Sequence, residues 1–184
     1  MIKLIEQALI STLEALRVQS ERIAVNSLNE SVFRFLFQQA LLAANPSAEL
    51  LAECQKIDLV VRAERTVAFV EFKYFVHSRS YDPVTLSPLA SWKSFPSLAN
   101  QRQFLASVQK LKAVHSEHPV FRLVVLFYSD LASQNGRSYH SWYASAEMPK
   151  LAGLHLVKQV GSFRCALSNA QCYAALYATT ASPN

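Results

Sequence analysis

Residues 57–75 read Ile-Asp-Leu-Val-Val-Arg-Ala-Glu-Arg-Thr-Val-Ala-Phe-Val-Glu-Phe-Lys-Tyr-Phe, and this stretch decides the fold. Residues 57–62 and 66–75 are each apolar and rich in β-branched or aromatic side chains, as strands require. A hairpin turn at Glu64-Arg65, or a four-residue loop 63–66, pairs residues whose numbers sum to 129. Asp58 then stands opposite Glu71. Directly opposed side chains have Cβ atoms about 4.5–5.5 Å apart on one face. Lys73 follows Glu71 by two residues and projects from that same face. Ionised side chains are costly to bury in apolar strands, so each of these three needs a reason to be there. Two carboxylates that close repel, and one has its pKa raised unless a cation lies between them.

Outward from this hairpin, the chain alternates between two periodicities. Residues 48–54 read as a strand preceding it. Residues 28–44 read as a helix, with Ser27 as its N-cap and Asn45-Pro46 as its stop. That helix is apolar nearly all round (Val32, Phe33, Phe35, Leu36, Phe37, Leu41, Leu42), which predicts burial between layers. Residues 2–18 form an earlier amphipathic helix. After the hairpin comes a polar connection, residues 76–97, with Pro83, Pro88 and Pro96. A helix over 97–115 follows, on a stripe through Leu98, Leu105, Val108 and Lys112, with Phe104 and Leu111 beside it. The apolar run 120–128 is a strand covered on both faces. Residues 154–160 and 162–167 are expected as a hairpin around Gly161, and 168–178 as a short closing helix. The expectation is one α/β domain over 1–184: a mixed sheet flanked by helices, with its core at about 28–128 and a small α/β extension at about 129–184.

Composition narrows the function classes. With 51% hydrophobic residues in 184, the chain is expected to fold around a sizeable core. No apolar stretch approaches the ~18 residues that span a bilayer. Glu6 interrupts what would be the apolar core of a leader, so the first segment is expected to be a helix of the mature protein. Cys54, Cys165 and Cys172 form no C-x-x-C pair, which suggests neither a zinc site nor a disulfide framework. A reducing cytoplasm is the expected compartment. No phosphate-binding glycine motif or G-x-S-x-G is present. The net charge of +5 is uneven: residues 1–72 hold 7 basic and 9 acidic residues, whereas residues 73–184 hold 11 and 4. A basic second half fits a polyanion-binding surface.

Two opposed carboxylates beside an ammonium suit phosphodiester hydrolysis. Hard carboxylate oxygens select Mg²⁺ or Mn²⁺, and such an ion can lower the pKa of a bound water and offset charge on a phosphate. Lys73 can orient that water and stabilise the transition state, and the Phe72 carbonyl between the two charged residues is a further oxygen ligand. The pattern Asp58 … Glu71-Phe72-Lys73, preceded by a helix bearing Glu30, resembles the PD-(D/E)XK nuclease superfamily. That resemblance implies a restriction-endonuclease-like core of helix, three-strand meander, crossover helix and strand. It implies metal binding by Asp58 and Glu71, and activation of the nucleophile by Lys73. It also implies a metal-binding role for Glu30, and makes Gln101 the candidate for a crossover-helix glutamine near the site. The chain departs from the pattern at Ile57, where a proline is usual.

Glu30 has a competing role: Ser27-Leu28-Asn29-Glu30 is a capping-box sequence. His77, Arg79 and Lys93, in or beside the long connection, are candidate phosphate contacts, with Tyr81 or Trp92 for base stacking. The expected partner is nucleic acid, DNA rather than RNA, with no membrane. A homodimer would supply the two active sites that double-strand cutting needs. The alternative is a catalytically silent member of the same fold that binds nucleic acid or protein. A third reading, an unrelated mixed α/β binding protein, requires that the acids do not converge.

Overall fold

The computed structural model describes residues 1–76, 78–81, 84–85, 88–93, 97–114, 116, 119–131, 138–143 and 147–179. Helices α1 (Ile2–Gln19) and α2 (Glu30–Ala44) lead into the meander β1 (Glu49–Cys54), β2 (Ile57–Ala63) and β3 (Thr66–Val76). A two-stranded ribbon, β4 (Ser78–Tyr81) and β5 (Pro88–Lys93), comes next, then helix α3 (Leu98–Ala113) and strand β6 (Val120–Leu131). Short helices α4 (Tyr139–Tyr143) and α5 (Glu147–Leu151) precede β7 (Leu154–Cys165) and β8 (Ala170–Thr179). Six strands form one mixed sheet in the order β1-β2-β3-β6-β8-β7, with β3 and β6 parallel and every other pair antiparallel. The α/β class, the mixed sheet and the helix, meander, helix, strand order therefore stand as expected. Among the described residues, no helix is long and apolar enough to cross a membrane.

The sheet separates two apolar layers. On one face α1 and α2 pack Ile5, Leu9, Phe33 and Phe37 against Leu59, Val61, Val70 and Phe72. On the other, Phe104, Val108 and Leu111 of α3 meet Val60, Phe69, Val124 and Leu126, and the tyrosines of α4 join them. Along β3 the alternation is regular: Ala68, Val70, Phe72 and Tyr74 belong to the α1/α2 layer, and Val67, Phe69 and Phe75 to the α3 layer. Glu71 and Lys73 thus fall on the α3 side of the strand by parity.

Three local readings are corrected. The N-cap of α2 is Asn29, whose side chain accepts the Val32 N–H, not Ser27. Val25–Ser27 instead form a single 3₁₀ turn, which removes Glu30 from the capping box. Residues 154–165 are one strand, not a hairpin about Gly161: the register shifts between Val160 and Ser162, so the glycine sits at an irregularity and the strand continues. Residues 170–179 are a strand, not a helix. Their Ala-rich stretch favours a helix locally, but pairing with β6 on one side and β7 on the other overrides that preference. The C-terminal segment therefore completes the main sheet with two of its six strands.

Candidate functional site

The expected register is found. Pairs run from Ala63↔Thr66 to Leu59↔Val70, so the turn is Glu64-Arg65, with Glu64 in the left-handed region at φ 54°. One step further lie Asp58 and Glu71, and there the ladder gives way to a side-chain clasp. The Asp58 backbone N–H donates to Glu71 Oε1 at 3.1 Å, and the Phe72 N–H donates to Asp58 Oδ2 at 2.8 Å. Each acid thus takes the backbone donor that the opposite strand would otherwise leave unpaired. The side-chain alternation of β2 also breaks at this point, because Ile57 lies in the α3 layer whereas Leu59, two residues on, lies in the α1/α2 layer. The strands part here, and the two carboxylates occupy the parting.

Helix α2 brings further charges to the same place. Phe72 packs between Phe33 and Phe37, with ring centroids 5.9 and 5.1 Å away, and Tyr74 OH donates to the Val25 carbonyl at 2.7 Å. These contacts anchor both the helix and the turn before it onto β3. Arg34, one helical turn after Glu30, then reaches Asp58 Oδ1 at 3.4 Å and Glu53 Oε1 at 2.6 Å. Burial raises the pKa of Glu30; Lys73 opposes that shift and Asp58 adds to it. Glu30 therefore shares one electrostatic neighbourhood with Asp58 and Lys73. Lys73 itself donates to the Phe72 carbonyl at 2.7 Å. Hydrogen bonds bring Asp58, Glu71 and Phe72 together, Lys73 is bonded to the Phe72 carbonyl, and Glu30 is linked to Asp58 and Lys73 only by their electrostatic influence on it.

Glu71 is the most enclosed of the set. Its side chain is 1% exposed, and Lys110 Nζ of α3 lies 2.6 Å from Oε1. Oε2 is buried and has no hydrogen-bond partner among the described residues. Burial raises the Glu71 pKa, the Lys110 hydrogen bond lowers it, and the charge of Asp58 raises it again. Among the described residues, no group of three or more His, Cys, Asp or Glu side chains converges to hold a metal ion.

Comparison with protein-family models, with curated proteins and with solved structures finds no match. The chemistry therefore rests on the geometry of the site.

Gln101 is half-buried on α3, nine residues and roughly 13 Å of helix before Lys110. The crossover-helix residue that meets Glu71 is Lys110. The α3 stripe also differs from the expected one: Phe104, Ser107, Val108 and Leu111 are buried, whereas Leu98 is 67% exposed. His77 lies outside the described residues, as do the side chains of Arg79 and Lys93. The backbone register of the β4–β5 ribbon sets Arg79 opposite Trp92 and Ser78 opposite Lys93.

Sequence reasoning missed Lys110 and Arg34. A signal for Lys110 existed. A crossover helix runs back along the strand it follows, and Glu71 lies five residues before the end of β3 at Val76, roughly 16 Å. That distance is about eleven helical residues at ~1.5 Å each, which counts from Leu98 to the neighbourhood of Lys110. Arg34 had a weaker signal, as the basic residue one helical turn beyond Glu30.

Proposed function

We propose that this chain is a metal-dependent nuclease with a restriction-endonuclease-like core, similar to the PD-(D/E)XK superfamily, that hydrolyses phosphodiester bonds in nucleic acid. The carrying observation is the reciprocal clasp of Asp58 and Glu71 where β2 parts from β3, with Glu30 and Lys73 beside it. Opposed acids at a strand parting, with no sheet-building need for their charge, are what a hard-cation site uses.

The donors fit Mg²⁺ or Mn²⁺. Among the described residues, Glu71 Oε2 is a buried acceptor without a partner, and Asp58 Oδ1 has only the long 3.4 Å contact to Arg34. Asp58 and Glu71 would hold the ion, with Glu30 nearby. Ions of this kind bind through one or two carboxylates and keep several waters. The bound metal would supply a more acidic water and offset charge on the phosphate. Lys73, a compact ammonium already turned to the Phe72 carbonyl, would orient the attacking water and stabilise the extra negative charge of the transition state. The polymer, DNA rather than RNA, would lie over the basic half of the chain. The β4–β5 ribbon begins two residues past the end of β3, and two-stranded ribbons fit the major groove of DNA. His77, Arg79 and Lys93 would then contact phosphates, and a second copy of the chain would supply the second active site for double-strand cutting.

One observation favours the silent alternative. Arg34, Lys73 and Lys110 already attend Glu30, Glu53, Asp58 and Glu71, so the cluster is close to balanced, at one net negative charge, as it stands. Cleavage of plasmid and single-stranded DNA with Mg²⁺ or Mn²⁺ separates the readings. The wild type should cut, Lys73→Ala should lose about 10²–10³ in rate while remaining folded, and Asp58→Ala should lose Mn²⁺ binding by calorimetry. A folded wild type that binds DNA but cuts nothing with either metal establishes the silent reading. Equal cutting by Lys73→Ala shows that the active site lies elsewhere.

A further inference from the structure

We propose that Lys110 is a tethered cation that holds Glu71 in the metal-free protein and has to leave it before a divalent ion can bind. This inference rests on the reading of Asp58 and Glu71 as metal ligands. It makes the site self-blocked, with metal affinity set by an internal competitor.

Glu71 shows what the lysine does. Its side chain is 1% exposed, its Oε1 takes the Lys110 ammonium at 2.6 Å, and its Oε2 has no partner among the described residues. A carboxylate so enclosed needs a counter-charge to remain ionised. Lys110 provides a compact point charge at one oxygen and leaves the other bare. A divalent ion at Glu71 would meet the same demand more fully and would repel an ammonium beside it.

The charge balance points the same way. Adding a divalent ion to the four acids (Glu30, Glu53, Asp58 and Glu71) and three cations as they stand would leave one uncompensated positive charge in a half-buried cluster. Release of a cation relieves that excess. Arg34 bridges Glu53 as well as Asp58, and Lys73 is bonded to the Phe72 carbonyl within its own strand. Lys110, among the described residues, has its ion pair with Glu71 alone.

Lys110 also has somewhere to go. Its side chain is 34% exposed. It lines a cavity of about 330 Å³ together with Gln55, Ala113 and Val114. A rotation of its flexible four-carbon stem moves the ammonium toward solvent without disturbing α3, which is held by Phe104, Val108 and Leu111.

Mn²⁺ calorimetry in mildly alkaline buffer, together with thermal melts with and without Mn²⁺, tests this on wild type, Lys110→Met, Lys110→Gln and Lys110→Arg. Both neutral variants should bind Mn²⁺ about tenfold or more tightly than wild type. Lys110→Arg keeps the charge and should retain the wild-type affinity. Metal-free Lys110→Met should melt below wild type, with Mn²⁺ restoring the loss, because the ion replaces the missing counter-charge. Lys110→Gln keeps a donor for Glu71 and carries the test if the methionine variant does not fold. Equal or weaker Mn²⁺ binding by both neutral variants, with wild-type binding still dependent on Asp58, overturns the competitor role and leaves the metal site standing. Absence of Mn²⁺ binding in the wild type and in both neutral variants overturns the metal site and this inference together.

Discussion

Asp58 Oδ2 accepts the Phe72 N–H at 2.8 Å, and Phe72 is fully buried between Phe33 and Phe37. Truncating Asp58 to alanine removes that acceptor at a place where β2 no longer supplies one. A buried donor left unpaired costs about 1–3 kcal/mol. The lost contact with Arg34, 3.4 Å long and partly exposed, adds at most a few tenths. Relief of repulsion works in the opposite direction, because the charge of Asp58 raises the pKa of both Glu30 and Glu71. The unpaired donor dominates, so Asp58→Ala should lose about 2 kcal/mol. In a chain of this size that is a fall in Tm of about 4–8 °C. Asp58→Asn keeps an oxygen at the same position and should cost less than about 1 kcal/mol. Urea and thermal melts of the three proteins measure the difference. Equal losses in the two variants would refute the argument, since the asparagine oxygen would then contribute nothing. No loss in Asp58→Ala would mean that the clasp does not hold the strand parting together.

Two further outcomes follow from the same neighbourhood. Glu30 and Glu71 both have pKa values raised above 4.5, so the folded state holds their protons more tightly than the unfolded chain. Their contribution to stability is therefore full below about pH 4.5 and is lost as pH rises through the raised values. Glu30→Gln should flatten that part of a Tm-against-pH curve, and an unchanged slope would place Glu30 away from the acids. Asn29→Ala should cost about 1 kcal/mol, or ~2–4 °C in Tm, whereas Ser27→Ala should cost little because Ser27 is exposed and does not cap α2. The reverse ranking would restore the capping box and with it a purely structural role for Glu30.

The hairpin at 57–76 was legible because both its strands and its turn are local. Alternation assigned the faces of β3, and the short turn left one register, which paired Asp58 with Glu71. Residues 170–179 were not legible for the complementary reason. Ala174, Ala175 and Ala178 favour a helix locally, and what makes them a strand is a place between β7, which a four-residue turn folds back onto them, and β6, which is remote in sequence. Gly161 misled in a related way. A glycine in an alternating run is compatible with a turn or with a register shift inside one strand, and the choice depends on whether a neighbouring strand continues past it. Here β8 does.

The amino-acid sequence by itself determined the class of the fold, the order of its main elements through β6 apart from the β4–β5 ribbon, and the register that sets Asp58 against Glu71. Each of those follows from periodicity and short-range geometry, which a linear pattern carries in full. Only the tertiary structure decided which cations attend the acids. Arg34 comes from α2 and Lys110 from α3, on opposite faces of the sheet, and their separations from Asp58 and Glu71 are 24 and 39 residues. Such pairings depend on the height and rotation at which each helix settles on the sheet. That is set by the aromatic packing of Phe33 and Phe37 on one face, and of Phe104 with Tyr143 on the other. A charged side chain several bonds long reaches whatever that packing places within a few ångströms, and no local pattern in the chain encodes the outcome.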